Sequence, residues 1–466
     1  MLFFLFFASL FTIHAQVDSC HLRFQIQGYN KGTVKLIGVY ADQNYMPDTA
    51  VINVNGNFEI KRASPLKSGF FYVILPDYTN FQLLLDKEQH MTMKAVKGDI
   101  INTMKVKGSI DNDLLYQSLK LQVGQEKEQD SLNAIVKNTP INEPAYKKAK
   151  DQLAFLAKAK KMQLEKFQKE YPNAFFTKFK TAGQNPELVD VRKPNGDLDT
   201  FAQLDLFRRA FWENVDFSDE RILFTPVLIN KLKRFITEMT VQIPDSIIRQ
   251  ADFIIQKAEV NPEMFKFVAS WIAMKYQPTK TTVMDGEAVY VHIIDKYFTS
   301  EERSGLTTKE LQDARKKIYE MKASLVNRKG PDVVSTDPNG QQKSIYEITA
   351  PYIVVYMYDT DCEHCQKETP KLREFYKEWK SKGVEVFAIV LNSNDKEWKE
   401  FIEKYQIHDW INVFDPTNKS IYAKYYVDIT PEVYLLNKDR IIIGKNLNVE
   451  QIGGMIEREM KKMNKG

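Results

Sequence analysis

Cysteine is scarce in this chain: 466 residues carry three, Cys20, Cys362 and Cys365. So few crosslinking positions exclude a small scaffold stapled by disulfides. Histidine is nearly as rare, at six. Beyond the N-terminal apolar run only His21, His90, His292, His364 and His408 remain, so a zinc site built on Cys362 and Cys365 lacks two obvious further ligands. His292 has no second metal-type residue at helical spacing and reads as a satisfied core histidine. The 65 basic and 61 acidic residues leave a net charge of +4 with no concentrated basic tract, which removes the electrostatic footprint of a nucleic-acid binder. No apolar stretch reaches the roughly 20 residues of a membrane-spanning helix. What is present is a 43% hydrophobic composition, enough for several cores, in a length that predicts about three domains.

The apolar run Leu2 to Ile13, ending at His14-Ala15, reads as a secretory signal peptide over residues 1–15. No Lys or Arg precedes it, so the amino terminus alone supplies the positive charge. The expected mature chain starts at Gln16, lies in the periplasm or cell envelope and keeps Cys20 as an unpaired thiol. Val17-Asp18-Ser19-Cys20 raises the alternative of a lipid-modified cysteine, although Asp18 fits that cleavage box poorly.

The chemistry concentrates at Asp361-Cys362-Glu363-His364-Cys365. This pentad sits where the strand-like run Tyr352–Tyr358 meets the helical pattern of residues 366–382. A Cys-x-x-Cys at such a junction reads as a redox dithiol. Cys362 falls at the helix N-terminus, where free N–H groups and the helix dipole favour a thiolate. Cys365, three residues on and on the same helical face, is placed to resolve a mixed disulfide. A structural disulfide closing two residues would stabilise little. A protonated His364 would make the pair more oxidising, and Glu363 and Asp361 oppose it. A peroxidatic cysteine is disfavoured: Asp359 stands three residues before Cys362, where a Thr or Ser is needed.

Further on, Val384–Leu391 predicts a buried strand, residues 395–405 a helix, residues 410–414 a short strand and residues 418–426 a helix-like stretch. Ile429-Thr430-Pro431-Glu432 then leads into a hairpin. From Gly330 to Gly466 the chain resembles the thioredoxin superfamily, in its extracytoplasmic TlpA/ResA-like branch. The resemblance rests on Cys362-Glu363-His364-Cys365, on Glu368 and Pro370 in Cys-x-x-Glu-x-Pro, and on Ile429-Thr430-Pro431. It implies a cis Pro431 against the dithiol and a Thr430 backbone that pairs with a substrate strand, with Glu363 and His364 as further substrate-facing residues. It also implies a reductase of protein disulfides, served by a membrane electron donor and needing no cofactor. The buried acid that many thioredoxins place six residues before the first cysteine is Tyr356 here. Glu368 is the expected substitute proton acceptor for Cys365, against the alternative of a solvated helix-face carboxylate.

Residues 16–110 alternate short β-rich runs with turns, including an Asn55-Gly56 hairpin signal, and predict an antiparallel sandwich or open barrel. Residues 111–328 carry long charged amphipathic helices, Tyr146–Tyr171 and Pro244–Val260 among them. Both resemble domains of unknown function that precede thioredoxin-like domains in Bacteroidetes proteins. Residues 327–337 read as a linker, so 329–466 completes a multidomain architecture: an N-terminal β-sandwich-like domain, a central all-α region and a C-terminal α/β thioredoxin-like fold. A second functional reading stays open, an envelope binding or scaffold protein in which the dithiol is auxiliary.

Overall fold

Period-two alternation builds the first strand: Cys20, Leu22, Phe24 and Ile26 point inward at 0–2% exposure, while His21, Arg23, Gln25 and Gln27 face outward. The computed structural model describes residues 19–278, 280–421 and 424–463. The expected signal peptide and its cleavage site thus lie outside the described residues. The chain divides into two units, one ending at Phe235 and one starting at Ile236.

In the first unit the strands are β1 (Cys20–Gln27), β2 (Thr33–Tyr40), β3 (Gln43–Val51), β4 (Asn57–Arg62), β5 (Gly69–Ile74), β6 (Asn80–Leu85), β7 (His90–Val96) and β8 (Lys105–Lys107). They form two four-stranded sheets, ordered β4-β1-β7-β8 and β3-β2-β5-β6. Asn55-Gly56 turns the chain into β4 as predicted. Gly56 has φ +76°, and a Cβ there would fall 2.4 Å from the Ile26 carbonyl oxygen, so only glycine fits. The expectation of a wholly antiparallel arrangement is corrected at one place. β1 and β7 run parallel from His21↔His90 to Gln27↔Val96, because the chain crosses through the second sheet before it returns beside β1. The helices Ile110–Asn138 and Pro144–Glu170 follow and pack on each other.

The second unit opens with the helices Pro244–Ala258, Pro262–Lys275, Glu287–Tyr297 and Thr308–Lys322. His292 is paired, its Nε2 lying 2.7 Å from Asp252 Oδ1, but it is part-buried and not the core residue expected. A seven-stranded sheet comes next, with β9 (Val334–Thr336), β10 (Gln342–Ser344), β11 (Tyr352–Asp359), β12 (Val384–Leu391), β13 (Ile411–Phe414), β14 (Glu432–Leu436) and β15 (Ile442–Lys445) in the order β10-β9-β13-β12-β11-β14-β15. β11, β12 and β13 are parallel, and β14 runs antiparallel to β11. Tyr352 to Tyr358 are all buried, since both faces of β11 are covered. Its even-numbered residues join Cys365, Leu372, Tyr376 and Ile452 in one core, and its odd-numbered residues join Val333, Ile345 and Tyr434 in another. Each such side chain stabilises the fold by about 1.5–3 kcal/mol.

Two further expectations fail in this unit. The helix-like stretch at 418–426 is a series of turns among its described residues. The Asp415 carboxylate takes the N–H groups of Thr417 and Ser420, and this local alternative outcompetes helix formation. The linker at 327–337 is instead a packed strap that includes β9. Asn327 N–H donates to the Ile442 carbonyl at 2.9 Å, Ile442 N–H donates to the Arg328 carbonyl at 2.9 Å, and Gly330 N–H donates to the Arg440 carbonyl at 2.7 Å. A Cβ on Gly330 would meet Tyr425 Oη at 2.7 Å and Leu436 Cδ2 at 2.8 Å. The glycine that suggested flexibility serves a close approach.

Candidate active site

The end of β11 delivers the cysteines. Cys362 is the N-cap of the helix Glu363–Trp379, and its Sγ accepts the Cys365 N–H at 3.2 Å. Its thiol also reaches the Thr430 carbonyl at 3.1 Å, in the residue before the cis Thr430–Pro431 bond. The dithiol and the proline loop, 68 residues apart in sequence, thus meet at one point. Pro370 lies inside the helix and supplies no N–H for the Gln366 carbonyl.

The two thiols are reduced and differ sharply. Cys362 is half-buried and Cys365 fully buried. Burial pushes the Cys362 thiol up, but side-chain hydrogen bonds from Cys365 and Thr430, with the backbone N–H groups of Cys365 and His364, together bring it below the usual thiol range. Burial, and then the neighbouring Cys362, push Cys365 up to about 12. One cysteine favours the nucleophilic thiolate, and the other keeps its proton until it is asked to attack.

The remaining predicted residues are placed less evenly. Glu363 and His364 are exposed on the first turn, and Glu363 lies 3.9 Å from Lys367. It is the His364 backbone that acts on Cys362. Glu368 accepts from Lys371 at 2.8 Å through Oε1, while its Oε2 is buried without a hydrogen-bond partner. It is therefore neither a fully solvated carboxylate nor hydrogen-bonded to Cys365.

Sequence reasoning passed over Tyr356 and Thr369 beneath the dithiol. Thr369 Oγ1 donates to the Cys365 carbonyl at 2.7 Å and accepts from Tyr356 Oη at 2.9 Å. Tyr356 stands where many thioredoxins carry an acid, and its hydroxyl is the available signal. Reasoning also passed over Glu432, a buried carboxylate directly after Pro431. A charge at the head of the apolar run Val433-Tyr434-Leu435-Leu436 is anomalous, and that anomaly could have found it. Among the described residues no group of three or more His, Cys, Asp or Glu side chains is arranged to hold a metal ion.

Residues 326–450 match the AhpC/TSA family. The C-terminal domain is thus a thioredoxin-like domain of that family, and an oxidoreductase one. Among its curated relatives is the thiol-disulfide oxidoreductase ResA of Bacillus cereus, 25% identical over 136 residues that make up 28% of this chain and 78% of the relative. Among solved structures, a domain of a possible thiol-disulfide isomerase from Cytophaga hutchinsonii is 31% identical, covering 30% of this chain and 97% of that one with a TM-score of 0.29. A thioredoxin-like protein from Bacteroides caccae is 16% identical, covering 59% and 99%, with a TM-score of 0.47. Residues 11–115 and 199–328 match two domains of unknown function, DUF4369 and DUF5106.

Proposed function

We propose that the chain is an exported reductase of protein disulfides, with Cys362 as the attacking thiol and Cys365 as the resolving one. The observation that carries this reading is the opposite tuning of the two: the half-exposed Cys362 thiol lies below its usual range and the buried Cys365 thiol is pushed up to about 12. The Cys362 thiolate attacks one sulfur of the substrate disulfide, forms a mixed disulfide and expels the other sulfur as a thiolate. Cys365 then passes its proton to Glu368 and attacks Cys362 Sγ. The mixed disulfide breaks, the substrate leaves as a dithiol, and Cys362–Cys365 is oxidised by the two electrons the substrate gained. A dithiol donor at the membrane restores the reduced pair. The free, buried Oε2 of Glu368 supports its role as proton acceptor. In this reading Thr430 and Pro431 present the substrate strand to Cys362, and Glu363 and His364 face the partner. The segments 16–110 and 111–328 serve docking or orientation, and residues 1–15 direct export.

The experiment is a trap. The Cys365→Ser chain, expressed in its native envelope, should accumulate mixed disulfides with other proteins that a thiol reductant dissolves, and the Cys362→Ser chain should accumulate none. Equal trapping by both variants overturns the assignment. Intact mass of the exported chain tests the leader: a start at Gln16 without acyl mass supports it, and a lipid-modified Cys20 defeats it.

A further inference from the structure

Beside the proline loop lies a cavity of about 290 Å³, enclosed within the second unit by Thr281, Glu287, Asp428, Glu432 and Asn446 among others. It is lined by both the segment ahead of the helix Glu287–Tyr297 and the loop that carries Thr430 and Pro431. Its charges do not balance. Glu287 and Glu432 line it and Asp285 lies next to Glu287 through Lys445; the three carboxylates are 2–4% exposed, and Lys445, at 0%, is the buried cation paired with Glu287 and Asp285 among the described residues. Lys445 Nζ lies 2.6 Å from Glu287 Oε1 and 3.9 Å from Asp285 Oδ1. Glu432 Oε1, Glu287 Oε2 and Asp285 Oδ1 are buried with no hydrogen-bond partner, and Lys445 Nζ meets Glu287 as an ion pair without an aligned hydrogen bond. An unpaired buried carboxylate costs several kcal/mol unless it is protonated or meets a cation. Asp428 adds a further carboxylate at the exposed rim, accepting from Tyr426 Oη at 3.2 Å.

Position says where a cation would come from. Glu432 follows Pro431 directly, and Asp428 and the 56%-exposed Ile429 precede Thr430, whose carbonyl takes the Cys362 thiol. A polypeptide laid along Thr430 with its cysteine at Cys362 therefore runs past the mouth of the cavity. A long side chain with a terminal cation can enter it.

We propose that this cavity is a specificity site for a lysine or arginine side chain flanking the substrate's cysteine, with Glu432 as the carboxylate that meets it and Asp428 as its outer guide. The inference rests on the thiol-exchange reading of Cys362 and names the substrate class of that site. Burial pushes Glu432 up to about 8, against the opposing influence of Lys445. In the empty cavity its proton does what the ligand's cation does in the filled one. Capture of the cation releases that proton, so binding tightens as pH rises from 6 towards 8. The other titratable groups around Glu432 are Glu287, Asp428 and Tyr434, with Tyr426 in the same cavity wall.

The test uses the reduced full chain and a set of decapeptides, each carrying one cysteine as its mixed disulfide with thionitrobenzoate. Lysine is walked through the flanking positions, with glutamine and glutamate counterparts. At one position or two adjacent ones the lysine peptide should release thionitrobenzoate about tenfold faster than the glutamine peptide, which is the order of one charge-assisted hydrogen bond. Glu432→Gln should erase that ratio and Asp428→Asn should reduce it. Equal rates for lysine and glutamine at every position, or a ratio that survives Glu432→Gln, overturn the proposal. Serine-for-cysteine peptides, followed by fluorescence anisotropy, separate the two readings. Lysine-dependent binding without thiol release keeps the cavity and retires the reductase. Thiol release without lysine preference does the reverse.

Discussion

Cys20 in the β-rich unit and Cys362 in the thioredoxin-like domain are the same side chain brought to opposite acidities. Cys20 opens β1 opposite Arg62 of β4 and is fully buried. Burial pushes its thiol up to about 11, even though the Arg62 charge pulls the other way. Cys362 is less buried and has no cation among its leading influences; its help comes mainly from side-chain hydrogen bonds and oriented backbone N–H groups at the start of a helix. Reactivity in this molecule follows from placement on a secondary-structure element, and a neighbouring charge does not replace it.

The sharpest way to break this comparison is to exchange each sulfur for oxygen. Cys362→Ser should lower disulfide-reductase turnover by about three orders of magnitude or more, since the two cysteines that remain are buried. Cys20→Ser should leave turnover intact and cost about 1–3 kcal/mol of stability, because it buries a hydroxyl in an apolar core. A Cys20→Ser chain that is folded but inactive would end the contrast. Alkylation of the native protein at pH 6 comes next: Cys362 should be labelled well ahead of both other cysteines, which should react at comparable rates only after unfolding, as mass spectrometry of the peptides would show.

The second unit also carries a pH dependence larger than that of the first, where burial raises Asp111 alone among the carboxylates with a resolved upward shift. The folded-state pKa of Glu432 is raised from 4.5 to about 8 by burial, and that of Asp285 from 3.8 to about 7. Such groups contribute stability that is fully present below the unfolded carboxylate values and is lost as pH rises through the folded ones. Between pH 5 and 8 the unit should therefore lose stability, by up to about 1.4 kcal/mol per pH unit for each group. Glu432→Gln should flatten that slope in denaturant titrations. A slope unchanged by the substitution would show that Glu432 ionises freely in the folded state.

Smaller effects are expected beneath the dithiol. Tyr356→Phe removes the hydrogen bond to Thr369 and the longer one to the Cys365 carbonyl and should cost about 1 kcal/mol, while Thr369 still holds the Cys365 carbonyl. Glu368→Gln should slow only the resolving step, read as a longer-lived mixed disulfide in rapid-quench kinetics. A resolving rate unchanged from pH 6 to 9 would make Glu368 a partner of Lys371 and nothing more.

Much of the redox domain was legible because its signals are local. A Cys-x-x-Cys between a β-branched run and a helical pattern marks where the dithiol sits, and seven consecutive apolar or aromatic residues announce a buried strand. The parallel pairing of β1 with β7 was not legible, since alternation tells which face of a strand is buried and not the direction of its neighbour. The pairing of Tyr356 with Thr369, and of Lys445 with Glu287, joins residues that only the tertiary fold brings together. Gly330 misled for a related reason: glycine marks both loops and close contacts, and composition cannot tell them apart.

The strap at 327–330 has one more effect. Its hydrogen bonds to Arg440 and Ile442, with the bridge between Lys329 and Ile441, occupy the outer side of the β15 hairpin, which would otherwise offer unpaired N–H and C=O groups to any passing strand. Open sheet edges recruit extended polypeptide without regard to its sequence. Along Arg440 to Ile442 those groups are already taken, and an extended polypeptide gains no backbone partner at that stretch of the edge.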